Sequence, residues 1–335
     1  MSRIVFVTRA TKDSGKGHFF RVFRMMESLS LNVDCTLVVD KEAITESERF
    51  NVYPFNRHKP ESFIRELGLD SNDLIWFDIP DSQYEMLKNF EGQGIPLIST
   101  NMFEKIGERR YEDIAIYPVF EKYKKSVVTE KTVQLSGVDF ISLPEEFFSE
   151  GDSKSPYVLV SMGGTDPMGF THLVLKAISQ LEDCQYIFKV ILPKGALVEH
   201  VLSEYGHYSH LEFLEFLEFL EFGSFDFANI LKRSQYAIIN GGMTRYECIA
   251  AKTFFIALSI HDTQAALSEK VTQYGLGENF GVFSEKDIER LTELLRQLIH
   301  PLTHSIHCEK MPLLRANRAK WIYDLVVREL KNKNE

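Results

Sequence analysis

The stretch YVLVSMGGTDPMGF, residues 157–170, decides the fold class of this chain of 335 residues. Its first six residues form an apolar run typical of a buried strand, and paired glycines follow directly. Thr165 and Asp166 are then suited to cap a helix, with Pro167 at its first position. A buried strand that leads through a short glycine-rich turn into a helix is the repeating unit of a parallel sheet covered by helices.

The same alternation of short apolar runs and longer segments of helical spacing extends along the chain. In the first half the predicted strands are RIVFVT (3–8), CTLVVD (35–40), DLIWFDI (73–79) and IPLIST (95–100). In the second half they are the start of the quoted stretch, YIFKVIL (186–192), YAIIN (236–240) and TFFIAL (253–258). The pattern predicts an α/β protein with two doubly wound, Rossmann-like domains.

A polar run, SEGDSKSP at 149–156, separates the two halves and has little to bury. We therefore expect a first domain over 1–150 and a second domain over 156–312. Ligands of doubly wound sheets sit outside the carboxyl ends of the strands. Two such domains are therefore expected to face an interdomain cleft that holds the ligand.

The charge and the cysteines argue against several classes of function. The chain carries 48 acidic and 38 basic residues, a formal net charge of −10, so nucleic acid is not expected as a partner. Its four cysteines form no CxxC pair, which argues against a zinc site and a disulfide framework and fits a reducing cytoplasm. No stretch approaches the roughly 18 apolar residues of a membrane span. We expect a cytoplasmic protein without an integral membrane segment.

A repeat in the second half stands apart from this pattern. The triplet LEF occurs four times over 211–222, and its period of three matches neither a strand nor a clean amphipathic helix. We interpret it as an expanded, structurally neutral repeat beside a strand. Self-association or membrane contact through its apolar residues is the alternative.

The first junction of strand and helix, SGKGHFFR at 14–21, brings a histidine to the edge of the first sheet. Gly15 and Gly17 provide a flexible turn, and His18 falls at or near the start of a helix. The phosphate-binding loop motif fails here, because Lys16 is followed by glycine in place of Ser or Thr. A histidine near a helix N-terminus is favoured in its neutral form and can act as a general base. A structural or merely exposed histidine is the alternative.

Two glycine-rich turns in the second half are candidates for binding phosphate. Gly163 and Gly164 expose backbone N–H groups ahead of a helix, although a tight turn without a ligand has the same sequence. In NGGMTRYE (240–247) the amides of residues 242–244 could bind a diphosphate. Glu247, one helical turn on, could accept hydrogen bonds from a ribose, so this glycine-rich turn with an acid in the first turn of the helix is a nucleotide-binding pattern.

Two neighbours of these turns complete the polar set. Cys248 has no evident basic partner and is interpreted as a small buried hydrophobe. After the last predicted strand, His261, Asp262 and Gln264 suit the hydroxyls or amides of a sugar. A helix N-cap formed by Asp262 or Thr263 explains the same stretch without a ligand.

Four motifs taken together resemble a known family. GKGHFFR, SMGGTDP, NGGMTRYE and HDTQ, in this order and at these separations, look like the UDP-sugar hydrolases of pseudaminic acid biosynthesis and their relatives in spore-coat polysaccharide synthesis. LSGVDFISLPEEF (135–147) is similar to the segment that closes the family's first domain. That family resembles in turn the MurG-type glycosyltransferases with their GT-B fold. In that fold the C-terminal segment, here 313–335 and helical by spacing, is expected to pack toward the first domain.

The resemblance implies a hydrolase that removes UDP from a 2,4-diacetamido-2,4,6-trideoxyhexose by attack of water at the anomeric carbon, with neither metal nor cofactor. It makes the UDP-sugar the partner and His18 the catalytic base that activates water. The diphosphate would lie on the two second-domain turns, the ribose on Glu247, and the sugar or a phosphate on Gln264, while Arg21 would orient the site or pair with a carboxylate. The implied substrate-binding residues are Gly15, Gly17, Arg21, Gly163, Gly164, Thr165, Gly242, Met243, Thr244, Glu247 and Gln264.

The chain departs from the family where the sugar would sit. Asp78, Asp81 and Tyr84 are imperfect substitutes for an Asp-x-Tyr motif after the third strand of the first domain. The positions that differ are Pro80 in place of that tyrosine, Thr100 and Asn101 in place of paired aspartates, and Thr263 in place of an asparagine. The nucleotide half therefore matches the family more closely than the sugar half.

Two other functions fit the same residues. A UDP-sugar-dependent glycosyltransferase of surface polysaccharide or glycan synthesis would use the same UDP site, with His18 deprotonating an acceptor hydroxyl in place of water. A non-catalytic nucleotide-sugar-binding protein would need only the turns. A hydrolase turns over UDP-sugar in water alone, a transferase needs an acceptor, and a binder does neither.

Overall fold

The computed structural model describes residues 3–9, 17–40, 50–56, 59, 61–79, 84–101, 110–121, 124–129, 131–148, 153–182, 184–192, 197–215, 226–299 and 312–334. The chain divides into two units. The first unit comprises residues 1–144 together with the C-terminal segment 312–335, and the second comprises residues 145–311.

The first unit is built on a sheet that has eight strands in the described ranges. In chain order they are β1 (Arg3–Thr8), β2 (Asp34–Asp40), β3 (Asn51–Phe55), β4 (Leu74–Asp78), β5 (Leu97–Thr100), β6 (Ile114–Tyr117), β7 (Lys124–Thr129) and β8 (Thr132–Ser136). Their order across the sheet is β3-β2-β1-β4-β5-β6-β8-β7, and only the pair β7–β8 is antiparallel. The helices are α1 (Gly17–Leu29), α2 (Ser62–Glu66), α3 (Tyr84–Lys88) and, from the end of the chain, α10 (Ala319–Asn334).

Alternating apolar residues fix β1 at the centre of this sheet. Ile4 and Phe6 belong to one buried cluster, which also contains the apolar faces of α1 and α10. Val5 and Val7 belong to a second cluster with Phe63 of α2. Full burial of such a side chain stabilises the fold by roughly 1.5–3 kcal/mol. The strand is therefore held from both faces, and α10 packs against α1 on one of them.

The second unit is an all-parallel sheet of six described strands. In chain order its elements are β9 (Ser155–Ser161), α4 (Phe170–Ile178), β10 (Ile187–Leu192), α5 (Leu197–Tyr205), β11 (Leu211–Glu215), α6 (Phe227–Arg233), β12 (Ser234–Asn240), α7 (Thr244–Ala250), β13 (Phe254–Ser259), α8 (Asp262–Thr272), β14 (Gly277–Val282) and α9 (Ile288–Ile299). The strand order is β11-β10-β9-β12-β13-β14. Counted within the unit this is 3-2-1-4-5-6, the order of the dinucleotide-binding fold.

The α/β class and the two doubly wound sheets are therefore confirmed. Each predicted strand is present, with ends that differ by one or two residues at most. The sequence pattern missed six of the described strands, namely β3, β6, β7, β8, β11 and β14. Four of them, β3, β7, β11 and β14, lie at sheet edges. An edge strand is paired on one side only, so its residues need not form the apolar run that marks a central strand.

The LEF repeat is placed differently from our interpretation. Its first five residues, Leu211–Glu215, themselves form the edge strand β11, parallel to β10, where we expected the repeat to lie beside a strand. Pairing with β10 overrides the period of three, and Lys189 Nζ donates to Glu212 Oε1 at 2.9 Å across the pair. Residues 216–225, with the rest of the repeat, lie outside the described ranges.

Three of the four cysteines are described, and all three are free thiols. Cys248 is fully buried, and burial raises the pKa of its thiol well above the ordinary value, as suits a small hydrophobe. Within the described ranges, no group of three or more His, Cys, Asp or Glu side chains could hold a metal ion. None of the described helices is long and apolar enough to cross a membrane.

Candidate functional site

The strand order reverses at one point in each sheet, between β1 and β4 in the first and between β9 and β12 in the second. Ligands of open α/β sheets bind outside the carboxyl ends of such strand pairs. His18, the second residue of α1, follows β1, and Asp78 ends β4. Gly163 follows β9, and Asn240 ends β12. Candidate residues therefore gather at the reversal point of each unit.

Asp78 joins His18 and Arg21 in the first unit. His18 Nδ1 lies 2.7 Å from Asp78 Oδ1. Arg21, one helical turn beyond His18, donates from Nε to Asp78 Oδ2 at 2.5 Å and from Nη2 to Oδ1. The side chain of Asp78 is 1% exposed, while His18 keeps 12% of its surface exposed. The carboxylate is thus buried behind a histidine that still reaches the surface.

The position of the His18 proton follows from this geometry. Burial alone would raise the pKa of Asp78, but Arg21 and His18 outweigh it and lower that pKa, so the carboxylate is ionised. His18 Nδ1 lies 3.1 Å from Arg21 Nη2, a donor, and closer, at 2.7 Å, to the ionised carboxylate of Asp78. An ionised carboxylate can only accept hydrogen bonds, so the shorter contact assigns the proton to Nδ1 of His18. Burial lowers the pKa of His18 below its ordinary 6.5, against an opposing effect of Asp78. At neutral pH the imidazole is neutral, and Nε2 carries a lone pair.

A neutral histidine with Nδ1–H bound to a carboxylate is the arrangement of a general base. Nε2 can take a proton, and Asp78 then stabilises the imidazolium that forms. The backbone supports this arrangement, because Thr8 lies opposite Asp78 in the register of β1 and β4. Thr8 Oγ1 donates to the Asp78 carbonyl at 2.8 Å and fixes the end of β4.

The two glycines ahead of His18 were expected to form the turn that places it. Gly15 lies outside the described ranges. Gly17 is the first residue of α1 and is exposed, and a Cβ added to it would meet no atom of the described residues within 4 Å. Packing against the described residues therefore does not require a glycine at position 17, and a role for it in admitting a ligand stays a prediction.

Asn240 ties together the two glycine-rich turns of the second unit. Its Nδ2 donates to the Met162 carbonyl at 3.0 Å, and its Oδ1 accepts from the Gly242 amide at 3.2 Å. A Cβ added to Gly163, whose φ is +84°, or to Gly242 would approach this side chain to 3.0 Å. Both positions therefore need glycine because the turns close tightly on one asparagine.

The two turns leave five backbone amides without an acceptor in the described part of the chain. The Gly242 amide is not among them, because Asn240 accepts its hydrogen bond. The five amides are those of Gly163, Gly164, Thr165, Met243 and Thr244. Backbone N–H groups that converge without partners form a site for an anion.

Helix α4 begins three residues later than the sequence indicated. Its first residue is Phe170, after Gly169 with φ +64°, whereas Pro167 lies in a preceding turn. Asp166 caps the helix from a distance, since its two carboxylate oxygens accept from the amides of Phe170 and Thr171, each at 2.8 Å. Those amides are therefore occupied, and only the glycine turn before them can offer N–H groups to a ligand.

The residues after β12 and β13 lie beside the second turn. Glu247 is buried in the first turn of α7. Gln264 is also buried, and its Oε1 accepts from the Ile260 amide at 2.8 Å, which leaves the Nε2 group to donate elsewhere. Helix α8 is capped by His261, whose Nδ1 accepts from the Gln264 amide at 3.3 Å. The sequence offered Asp262 or Thr263 as a possible N-cap, and the structure assigns that position to His261.

Of the positions that depart from the family pattern, Thr100 and Asn101 both form hydrogen bonds with buried side chains of the first unit. Thr100 Oγ1 accepts from Trp76 Nε1 at 2.9 Å. Asn101 donates to Ser99 Oγ at 2.8 Å and accepts from Arg110 Nη2 at 3.0 Å. Tyr84 begins α3, and residues 80–83 lie outside the described ranges.

Sequence reasoning missed the two residues that organise the site. Asp78 was considered only as an imperfect substitute in a sugar-side motif, and Asn240 only as the end of a strand. Both are the last residues of strands that follow the reversal of strand order. A search of those two strand ends for polar residues would have found them.

Two doubly wound units, each with its polar residues at the reversal point, define the class of GT-B-like proteins. No protein-family model matches the chain. The chain is 24% identical over 321 residues, 90% of its own length and 91% of the relative's, to the spore coat polysaccharide biosynthesis protein SpsG of Bacillus subtilis (strain 168). This similarity confirms the resemblance to the spore-coat family that the four motifs indicated.

Solved structures support the fold. MurG of Acinetobacter baumannii superposes with a TM-score of 0.63 at 14% identity, covering 98% of this chain and all of that chain. The structure of S. aureus MnaA with UDP superposes with a TM-score of 0.65 at 13% identity, covering 99% of this chain and 97% of the other. At these identities the likeness establishes the fold alone.

Proposed function

We propose that this protein is an enzyme of polysaccharide synthesis that acts on a UDP-linked sugar, and that it hydrolyses the bond between the anomeric carbon and UDP. The observation that carries the proposal is the pair of His18 and Asp78 at the reversal point of the first sheet. A protein that only bound a nucleotide-sugar would have no use for a buried carboxylate that prepares a histidine as a base.

In this reaction His18 Nε2 takes a proton from water while the water oxygen attacks the anomeric carbon. The bond from that carbon to the β-phosphate oxygen breaks, and UDP leaves with the bonding electron pair. Asp78 stabilises the imidazolium through the Nδ1–H contact. Positioned N–H donors stabilise the charge that develops on the leaving group. The reaction needs no further reactant than water.

The second unit supplies the proposed nucleotide site. The unpartnered amides of Gly163, Gly164, Thr165, Met243 and Thr244 would bind the diphosphate. Buried Glu247 would accept from the ribose, and Gln264 Nε2 would donate to the sugar or a phosphate. The relatives support this assignment, since one is named for spore coat polysaccharide biosynthesis and another was solved with UDP.

A glycosyltransferase is the second candidate, because MurG and the forosaminyltransferase SpnP share the fold. It would use the same base and the same UDP site, with an acceptor hydroxyl in place of water. The substrate class of the hydrolase, a 2,4-diacetamido-2,4,6-trideoxyhexose, comes from the motif resemblance.

The test is release of UDP from UDP-2,4-diacetamido-2,4,6-trideoxy-L-altrose without an acceptor, in water enriched in ¹⁸O. Loss of a general base slows a reaction by about 10²–10⁴-fold, so His18→Ala should abolish most turnover. The matched control is His172→Ala, a histidine on α4 of the second unit. Hydrolysis at the anomeric carbon leaves UDP free of ¹⁸O, whereas attack of water at phosphorus would place ¹⁸O in UDP. Binding of UDP without release favours a transferase or a binder, and release that His18→Ala leaves intact refutes the role of His18.

A further inference from the structure

A buried arginine lies directly behind the second glycine-rich turn. Arg245, the second residue of α7, is 0% exposed. Its Nη1 donates to the carbonyl of Gly241, and its Nη2 donates to Tyr246 Oη at 3.2 Å. The guanidinium carbon lies 4.6 Å from the centre of the Tyr246 ring. All of these partners are neutral.

Among the described residues, Arg245 has no carboxylate to balance its charge. It forms no ion pair within the described ranges, and its Nε is buried without a hydrogen-bond partner. A guanidinium cannot shed its charge by deprotonation. Removing such a charge from water is costly unless an opposite charge compensates it. The position therefore carries an uncompensated cation, and an anion nearby would stabilise it.

The guanidinium of Arg245 lies beside the turn on which the proposed function places the diphosphate of UDP. Gly241, whose carbonyl Arg245 holds, is the first residue of the turn that presents the unpartnered amides of Met243 and Thr244. The Gly241 amide donates to the Leu258 carbonyl at 2.9 Å, so both polar groups of this residue are fixed from inside the protein. The direction of the following amides is thereby set.

Helix α4 cannot supply the same positive potential. Its first amides are already bound by the carboxylate of Asp166, which adds a negative charge beside the other turn. A diphosphate at these turns would thus meet the carboxylate of Asp166. A cation on the other turn offsets that charge, and Arg245 is the cation that stands there.

We propose that Arg245 is a positioning residue that makes this site selective for a diphosphate. It acts through the Gly241 carbonyl, which it holds inward, and through its buried charge, which the bound anion compensates. This inference rests on the proposed function, because it assumes that the turns bind UDP. It does not require that His18 act as a base.

The test compares the affinities of UDP, UMP and uridine for wild type, Arg245→Met, Arg245→Lys and Arg245→Gln by calorimetry or competition. Arg245→Met removes one partner of a buried charge pair, so its affinity for UDP should fall by about 30-fold or more. Its affinity for uridine should change by less than about threefold. Lysine keeps the charge and should restore most of the UDP affinity. Arg290→Met is the matched control, since Arg290 also donates to a carbonyl and lies over a ring, that of Phe280, but is exposed on α9.

Each outcome decides one point. An equal loss for UDP and uridine in Arg245→Met shows that the turn has collapsed and overturns the charge role, as does full UDP affinity in that variant. If Arg245→Met does not fold, Arg245→Gln replaces it, because glutamine can still donate to Gly241 but carries no charge. Failure of wild type to bind UDP at all would refute the proposed function, which separates that failure from failure of this inference.

Discussion

Replacing Asp78 by asparagine tests whether the carboxylate contributes to chemistry. The substitution keeps the size of the side chain and removes the charge that faces His18 Nδ1 at 2.7 Å. Two unit charges about 4 Å apart interact by about 4 kcal/mol at an effective dielectric constant of about 20. Since 1.4 kcal/mol corresponds to a factor of ten, kcat should fall by about 10³-fold.

The pH dependence gives this prediction a sign. Asp78 raises the pKa of His18 while burial and Arg21 lower it. Without the carboxylate that pKa falls further below 6.5, so more of the histidine is neutral in mild acid. The acidic limb of the kcat/KM profile should therefore move to lower pH in Asp78→Asn, while the plateau falls. A merely structural loss would lower the plateau and leave the limb in place.

Stability must be separated from chemistry in this variant. Asp78→Asn leaves Arg21 buried without its carboxylate, and breaking a buried ion pair costs about 3–5 kcal/mol. The double variant Asp78→Asn/Arg21→Met removes both charges and should regain most of the stability in a denaturant titration while kcat stays low. A kcat within tenfold of wild type in folded Asp78→Asn, or a limb that moves to higher pH, would refute the reasoning.

Three further predictions concern the second unit. Asn240→Asp should weaken UDP binding by at least tenfold, because a carboxylate cannot donate to the Met162 carbonyl and would repel the diphosphate. Calorimetry measures this loss, with Asn240→Ser as a neutral comparison. Gly163→Ala should lower stability by about 1–3 kcal/mol, since its φ of +84° and the 3.0 Å approach to Asn240 both disfavour a Cβ, and an unchanged denaturant midpoint would contradict it. Cys248 should resist alkylation in the native protein and react only after unfolding, because it is fully buried and its thiol pKa is raised, so native labelling followed by peptide mass analysis checks it.

The strands and turns were predictable because their causes are local. β1, β9 and β12 are apolar runs that end in small or polar residues, and burial on both faces of a parallel sheet requires such a run. His18 could be placed near the start of a helix for the same reason. The start of α4 could not, because Asp166 caps it from four residues away through a turn that has Gly169 in the left-handed conformation.

The partner of His18 was not predictable from local pattern. Asp78 lies 60 residues further along the chain. It reaches His18 because β1 pairs with β4 on one side, in addition to β2 on the other. That pairing is a property of the strand order. Asn240 escaped notice for the same reason, since its side chain acts on Met162, 78 residues earlier, at the end of the neighbouring strand.

The two units share one strand order around the reversal point but place different chemistry there. The first offers a titratable base with its buried carboxylate, and the second offers unpartnered amides with a buried cation behind them. Variants should therefore fall into two groups. His18→Ala and Asp78→Asn should lose turnover and keep UDP affinity, whereas Arg245→Met and Asn240→Asp should lose UDP affinity first. A single variant of the first group that abolished UDP binding would show that the division of labour between the units is wrong.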